Sequence, residues 1–255
     1  MRLFSILVLI ICSLNALELE RITIESSEKI SIPQLHNTTL EGHTFFSEYE
    51  VLKPFQIAKY ELRVKEYIDY LKVTKQEGLL KSILSSDIEQ NEPVTNIGFN
   101  QAKDTCIFYG GRLPSELEWV VSASIKLAPS KCYEHLKTNT FHTTAIDNFS
   151  STCMLEEDDE FEAELVGSEL LDVDMSVENI NGTYGMYANV WEWVDSSVKI
   201  FRDEYRVIKG GSYANFKTPE LFDSRVTNFL NEDAKLQNVG FRCAWDINRD
   251  EKSTK

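Results

Sequence analysis

The side chains with the sharpest chemistry in this 255-residue chain are its five cysteines, at positions 12, 106, 132, 153 and 243. Thiolates hold soft metals, attack electrophiles or pair as disulfides. No two of them stand in a Cys-x-x-Cys spacing, and His36, His43, His135 and His142 form no His-x-x-x-His pair. A zinc or iron centre built on one knuckle or one helix needs such spacings. A second chemistry is offered by Glu156-Glu157-Asp158-Asp159-Glu160, continued by Glu162 and Glu164. Clustered carboxylates suit a hard cation such as calcium. This run lacks the Asp-x-Asp-x-Asp-Gly alternation that turns oxygens inward. A solvated charge run is the expectation.

Where the chain works follows from its first residues. Arg2 precedes an apolar run from Leu3 to Leu14, and Ser13-Leu14-Asn15-Ala16 offers a small residue for cleavage. This pattern predicts a signal peptide over residues 1–16 and a single domain over 17–255, exported to a periplasmic or extracellular space. The apolar run is too short to span a bilayer. Bulky Ile11 before Cys12 argues against lipid anchoring through that cysteine. Cleavage removes Cys12 and leaves an even number of cysteines, as in exported disulfide proteins. The formal net charge of −15 would repel nucleic acid and anionic membranes, which argues against both as partners. An unidentified protein or peptide is the expected partner.

Several elements must position these residues. Ile22, Ile24, Ile30 and Ile32 alternate with polar residues around Ser26-Ser27-Glu28, which predicts a hairpin over 20–32. An apolar run from Phe55 to Tyr60 leads into Val64, Tyr67, Ile68 and Leu71, spaced as one face of a helix. Residues 74–91 read as loop with a helical piece. A second helix starts at Asn100 as cap, buries Ala102, Cys106 and Ile107, and stops at Gly110-Gly111. A third begins at Pro114-Ser115, where Ser115 and Glu118 have capping-box spacing; Trp119, Val120 and Ala123 follow. Cys132 and Cys153 bracket a polar stretch, and an acidic loop insertion is predicted at 154–175. The remainder, rich in aromatics and glycine, predicts short strands and much ordered loop.

Several segments, in order, carry a family resemblance. They are Phe55-Gln56-Ile57-Ala58-Lys59-Tyr60-Glu61; Pro93-Val94 through Cys106 to Gly111-Arg112-Leu113-Pro114-Ser115-Glu116-Leu117-Glu118-Trp119; Asn179 to Asn189-Val190-Trp191-Glu192-Trp193; Gly210-Gly211-Ser212-Tyr213; and Gly240-Phe241-Arg242-Cys243. Together they resemble the formylglycine-generating-enzyme (sulfatase-modifying-factor) family over roughly residues 20–247. The resemblance implies an α+β, C-type-lectin-like fold with short strands and a few helices. It implies a disulfide between Cys106 and Cys243, where family members place that pair, which leaves Cys132 and Cys153 for each other. Read as residues, Arg112 and Glu116 are expected to anchor loops through paired hydrogen bonds, and Gly210-Gly211 to permit a tight backbone path near the central cleft.

The family's chemical centre is another matter. Its copper-dependent oxidases carry a cysteine two places after the Ser-Tyr, and a second a few residues on. Here the first place is Asn215, and the neighbourhood of Pro219–Leu221 has no cysteine. An amide oxygen cannot replace a thiolate for a soft metal. Copper is therefore not an expected cofactor. Calcium is the remaining candidate, at an eroded site. Gly185 falls where the family has an Asp or Asn ligand, and Glu192 alone keeps a side-chain oxygen, beside backbone carbonyls near Ala188 and Val190. The family's iron-dependent sulfoxide synthases place histidine ligands in a separate domain that has no room here.

The leading expectation is an exported non-oxidase that binds a peptide, protein or small ligand in a cleft lined by Trp191, Ser212, Asn215 and Arg225. Trp191 and Trp193 flank Glu192, so both rings would share one face, which buried core explains without any ligand. The alternative is an oxidoreductase or protein-maturation enzyme using Ser212, Asn215, Glu220, Asp223 and Arg225, where a carboxylate and a guanidinium would do acid/base or anion-clamping work. A purely structural role in envelope assembly is the third reading.

Overall fold

The computed structural model describes residues 18–25, 33–34, 45–46, 53–123, 170–176, 178–179, 181–187, 189–215 and 227–247. In chain order its elements are β1 (Arg21–Ile24), β2 (Pro33–Gln34), β3 (Phe45–Phe46), β4 (Phe55–Ala58), α1 (Val64–Val73), α2 (Glu77–Leu84), α3 (Phe99–Phe108), α4 (Glu116–Ala123), β5 (Trp191–Ile200), β6 (Asp203–Lys209), β7 (Asn228–Leu230), β8 (Val239–Phe241) and β9 (Ala244–Asp246). Short strands and compact helices joined by ordered loop make an α+β architecture, as the sequence predicts. Among the described residues no helix is long and apolar enough to cross a membrane.

Phe55 and Ile57 in β4 are buried, and the strand is the centre of a sheet with order β1-β4-β9. It pairs antiparallel with β1, Arg21 opposite Ala58 and Ile24 opposite Phe55. The second arm of the predicted hairpin over 20–32, with Ile30 and Ile32, lies outside the described residues; the first arm, β1, pairs with β4. β4 offers β1 a buried strand to pair with, and a third strand makes the sheet more stable than a two-stranded ribbon. β2 and β3 form their own antiparallel pair. The largest sheet has order β7-β6-β5-β8; β5 runs antiparallel to β6 and parallel to β8.

Helix α1 buries Val64, Tyr67, Ile68, Tyr70 and Leu71, the face its spacing predicts. The N-cap of α3 lies two residues before the predicted one. Gly98 is its N-cap, and its amide is met by the Gln101 side chain at 3.4 Å, so Asn100 lies within the first turn. Ala102 and Cys106 are buried as expected, but Ile107 is 57% exposed. The buried stripe is Phe99, Ala102, Thr105 and Cys106, and a residue one step past it turns about 100° away. Gly110 ends the helix at φ +73°, a conformation that favours glycine.

The capping box of α4 forms as its spacing predicts: the Ser115 amide donates to Glu118 Oε2 at 2.8 Å, and the Glu118 amide donates to Ser115 Oγ at 3.2 Å. Ser115→Ala should lower stability by about 1 kcal/mol, with Ser115→Thr recovering most of it. Denaturant midpoints of the three proteins check this; an alanine variant as stable as the parent would count against it.

The main core gathers α1, α3, Trp191 and Trp193 of β5, Ile208 of β6, Phe241 of β8 and Trp245 of β9. Through it runs the Cys106–Cys243 disulfide, linking α3 to the turn between β8 and β9. Cys132, Cys153 and residues 154–169 lie outside the described residues. The end of the predicted acidic insertion is docked: Val173 is buried, and its amide donates to the Asn91 carbonyl at 3.1 Å.

Candidate functional site

Alternation along β5 sends its side chains to opposite faces. Trp191 and Trp193 enter the apolar core, where Trp193 Nε1 donates to the Ile97 carbonyl at 2.8 Å and meets the Phe99 ring edge-on. Between them Glu192 points to the other face. It lies opposite Lys209 of β6 and Gly240 of β8 and is fully buried. Its carboxylate is saturated. Oε2 accepts from Trp119 Nε1 at 2.8 Å and Arg242 Nε at 2.7 Å, and Oε1 accepts from Arg242 Nη2 at 2.6 Å. This bidentate pair is the strong form of charge-assisted hydrogen bonding. Arg242 also donates to the carbonyls of Tyr184, Ala58 and Lys59, so one guanidinium ties three chain segments together.

A second buried carboxyl faces the same cation. Glu61 Oε2 lies 3.8 Å from Arg242 Nη2, and Glu61 Oε1 accepts from Asn189 Nδ2 at 3.1 Å. Burial pushes the Glu61 carboxyl up to about 8; Arg242 opposes the shift and Glu192 adds to it. Desolvation of this carboxyl favours its protonated form, and the nearby Arg242 guanidinium only partly offsets that preference. Gly185, at φ +64°, packs directly against this carboxyl, where a β-carbon would collide with it. Proton binding is thus stronger in the folded chain than in the unfolded one. Stability from this group is full below about pH 4.5 and falls as pH rises toward 8. Glu61→Gln should remove that part of the slope, a difference on the order of a few kcal/mol between pH 5 and 8.5. Denaturation of both proteins at the two pH values measures it, and parallel slopes would overturn the assignment.

Further along the same face, Lys209 is buried, its Nζ 2.7 Å from Thr227 Oγ1 and 3.2 Å from Glu116 Oε1. Arg112 pairs bidentately with Glu118, both contacts at 2.7 Å, and reaches Asp246. Arg112 and Glu116 thus anchor loops, each with its own partner.

Lys209 leads into Gly210 and Gly211, at φ +99° and +74°. A β-carbon on Gly210 would meet the Met186 carbonyl and the Trp119 ring. The glycines turn the chain into a β-turn closed by the Asn215 amide donating to the Ser212 carbonyl at 3.0 Å. Asn215 Oδ1 reaches back to accept from the Ser212 amide and from Ser212 Oγ, both at 2.8 Å. Asn238 Nδ2 donates to the same Ser212 Oγ at 3.0 Å.

The structure therefore sorts the sequence-derived site. Ser212 and Asn215 are joined, but Ser212 is fully buried and Trp191 lies in the core at 6% exposure, so neither lines an open cleft. Trp191 packs into the apolar core cluster on its face of β5, and Ser212 is enclosed by its bonds to Asn215 and Asn238. Tyr213, Ala214 and Asn215 carry the accessible part. Glu220, Asp223 and Arg225 lie outside the described residues, as does Ala188, while Val190 is buried. The clustering of Glu61, Asn189 and Asn238 with this site was missed. Their partners lie far away in the chain, and no local spacing signals them.

Comparison with known proteins places this geometry. The sulfatase-modifying factor enzyme 1-like domain model matches residues 34–247. The chain is 28% identical over 155 residues to the inactive C-alpha-formylglycine-generating enzyme 2 of Bos taurus, covering 60% of this chain and 50% of that protein. It is 27% identical over 198 residues to the formylglycine-generating enzyme of Mus musculus, covering 67% and 48%. The chain thus spans about half the length of these curated relatives. PvdO from Pseudomonas aeruginosa superposes with a TM-score of 0.59 at 16% identity, over 89% of this chain and 94% of that one, a likeness of fold consistent with the C-type-lectin-like expectation. With the family model matched over most of its length, this chain belongs to the sulfatase-modifying factor enzyme 1-like family.

Proposed function

We propose that this chain is an exported, copper-independent member of its family that binds a peptide, protein or small ligand at the face formed by Tyr213, Ala214 and Asn215. The observation that carries the reading is the state of Asn215. It stands where the oxidases place a thiolate, and its oxygen already accepts two hydrogen bonds from Ser212. A neutral, occupied amide oxygen does not fit a cuprous ion, and Cys106 and Cys243 are consumed in their disulfide. A calcium ion is no better suited to Glu192, whose oxygens are taken by Arg242 and Trp119. The buried disulfide supports an oxidising compartment. The relative from Bos taurus, named as inactive, makes loss of the oxidase reaction within this family a precedent.

Titration of the purified chain with Cu(I), alongside counting of reactive thiols, tests the reading. The expected result is no stoichiometric copper uptake. One copper per chain held by two reactive thiols would overturn it.

A further inference from the structure

The two asparagines around Ser212 are oriented by what Ser212 can give and take. A backbone N–H only donates, so the Ser212 amide, 2.8 Å from Asn215 Oδ1, fixes the oxygen of that side chain inward. Ser212 Oγ donates to the same oxygen at 2.8 Å, which leaves its lone pairs for Asn238 Nδ2 at 3.0 Å. Asn215 must therefore present its NH2 outward, and Asn238 its carbonyl oxygen. Among the described residues nothing engages either outward group. Both side chains are half-buried and converge on one hydroxyl.

The supports are rigid. Asn215 is held by the turn it closes on Ser212, and the main-chain carbonyl of Asn238 accepts from the Trp191 amide at 2.9 Å at the point where β8 joins β5. Fixed donors and acceptors lose little freedom on binding, which favours affinity.

We propose that Asn215 and Asn238 form an amide clamp. Asn215 Nδ2 donates to a ligand carbonyl while Asn238 Oδ1 accepts from a ligand N–H on the same edge. The inference rests on the ligand-binding reading of this face and gives it a chemical class. Two sources present that edge: a primary carboxamide side chain, and a single residue of an extended peptide, whose N–H and C=O point to one side.

Side-chain 15N NMR of the full chain separates these outcomes, with propionamide, N-acetylalanine methylamide and N,N-dimethylacetamide as probes. The expected result is a saturable shift of the Asn215 and Asn238 NH2 resonances with at least one of the first two probes. Stronger binding of propionamide identifies a carboxamide, and stronger binding of N-acetylalanine methylamide identifies peptide backbone. Dimethylacetamide, which has no N–H, should bind about fivefold to tenfold more weakly, since it leaves Asn238 Oδ1 unmet. Asn215→Asp keeps the inward oxygen on Ser212 but turns the outward donor into an acceptor, and should abolish the shift at Asn238 without unfolding the chain. The clamp is overturned by no saturable shift, by equal binding of dimethylacetamide, or by undiminished binding to Asn215→Asp; each would mean two hydrated surface amides only. A chain that takes up no copper and ignores these amides loses the clamp while the non-oxidase reading stands.

Discussion

Replacing Arg242 with methionine is expected to destabilise the fold by roughly 3–5 kcal/mol, because it strands the Glu192 carboxylate in the interior without its cation. The pair is wholly buried, joined at 2.6 and 2.7 Å, and out of reach of water that could replace it. The same change releases the buried carbonyl of Ala58 and the part-buried carbonyls of Lys59 and Tyr184, each left with one donor fewer. Trp119 Nε1 alone would remain on Glu192. The double variant Arg242→Met with Glu192→Gln removes both charges, and should be more stable than Arg242→Met alone. Denaturant unfolding of the two single variants and the double variant gives the coupling between the residues. Simple additivity would show that the ion pair contributes little beyond packing.

Loss of the Cys106–Cys243 disulfide should have an effect of similar size for a different reason. The bonded residues are 137 apart in sequence. Closing a loop of that length restricts the unfolded chain by about 5 kcal/mol in the chain-entropy model. The Cys106→Ala and Cys243→Ala double variant should therefore unfold at a much lower denaturant concentration than the oxidised parent, and the reduced parent should approach it. The folded states of parent and variant should look alike, since both sulfurs lie in a closely packed core beside Tyr109 and Trp245. A small stability difference would mean that the unfolded chain is already compact across this span. Either loss is large against the roughly 5–15 kcal/mol by which domains are commonly stable.

Local patterns were readable where neighbours in sequence are also neighbours in space. The α1 stripe, the Ser115–Glu118 box and the glycine stop after α3 are set by hydrogen bonds and spacings within a few residues. The position of Trp191 and Trp193 on one face follows from strand alternation in the same way. The α3 cap was misplaced because Asn100 is the better capping residue by type, while Gly98 sits where the chain enters from the loop. The partner of β1 was not legible, because β4 lies outside any local window. The exposed Ile107 shows the same limit at the scale of one residue.

What the chain's order of residues determined by itself is the family, the α+β class, the helices with their local caps, and the absence of a thiolate at position 215. Tertiary structure alone decided the rest. It put Glu61, Glu192 and Arg242 into one buried cluster, chose the core over the cleft for Trp191, and set Asn215 and Asn238 on the same hydroxyl. The physical reason is that charge pairing, desolvation and hydrogen-bond direction depend on distances between segments as far apart as β4 and β8. No periodicity along the chain carries those distances.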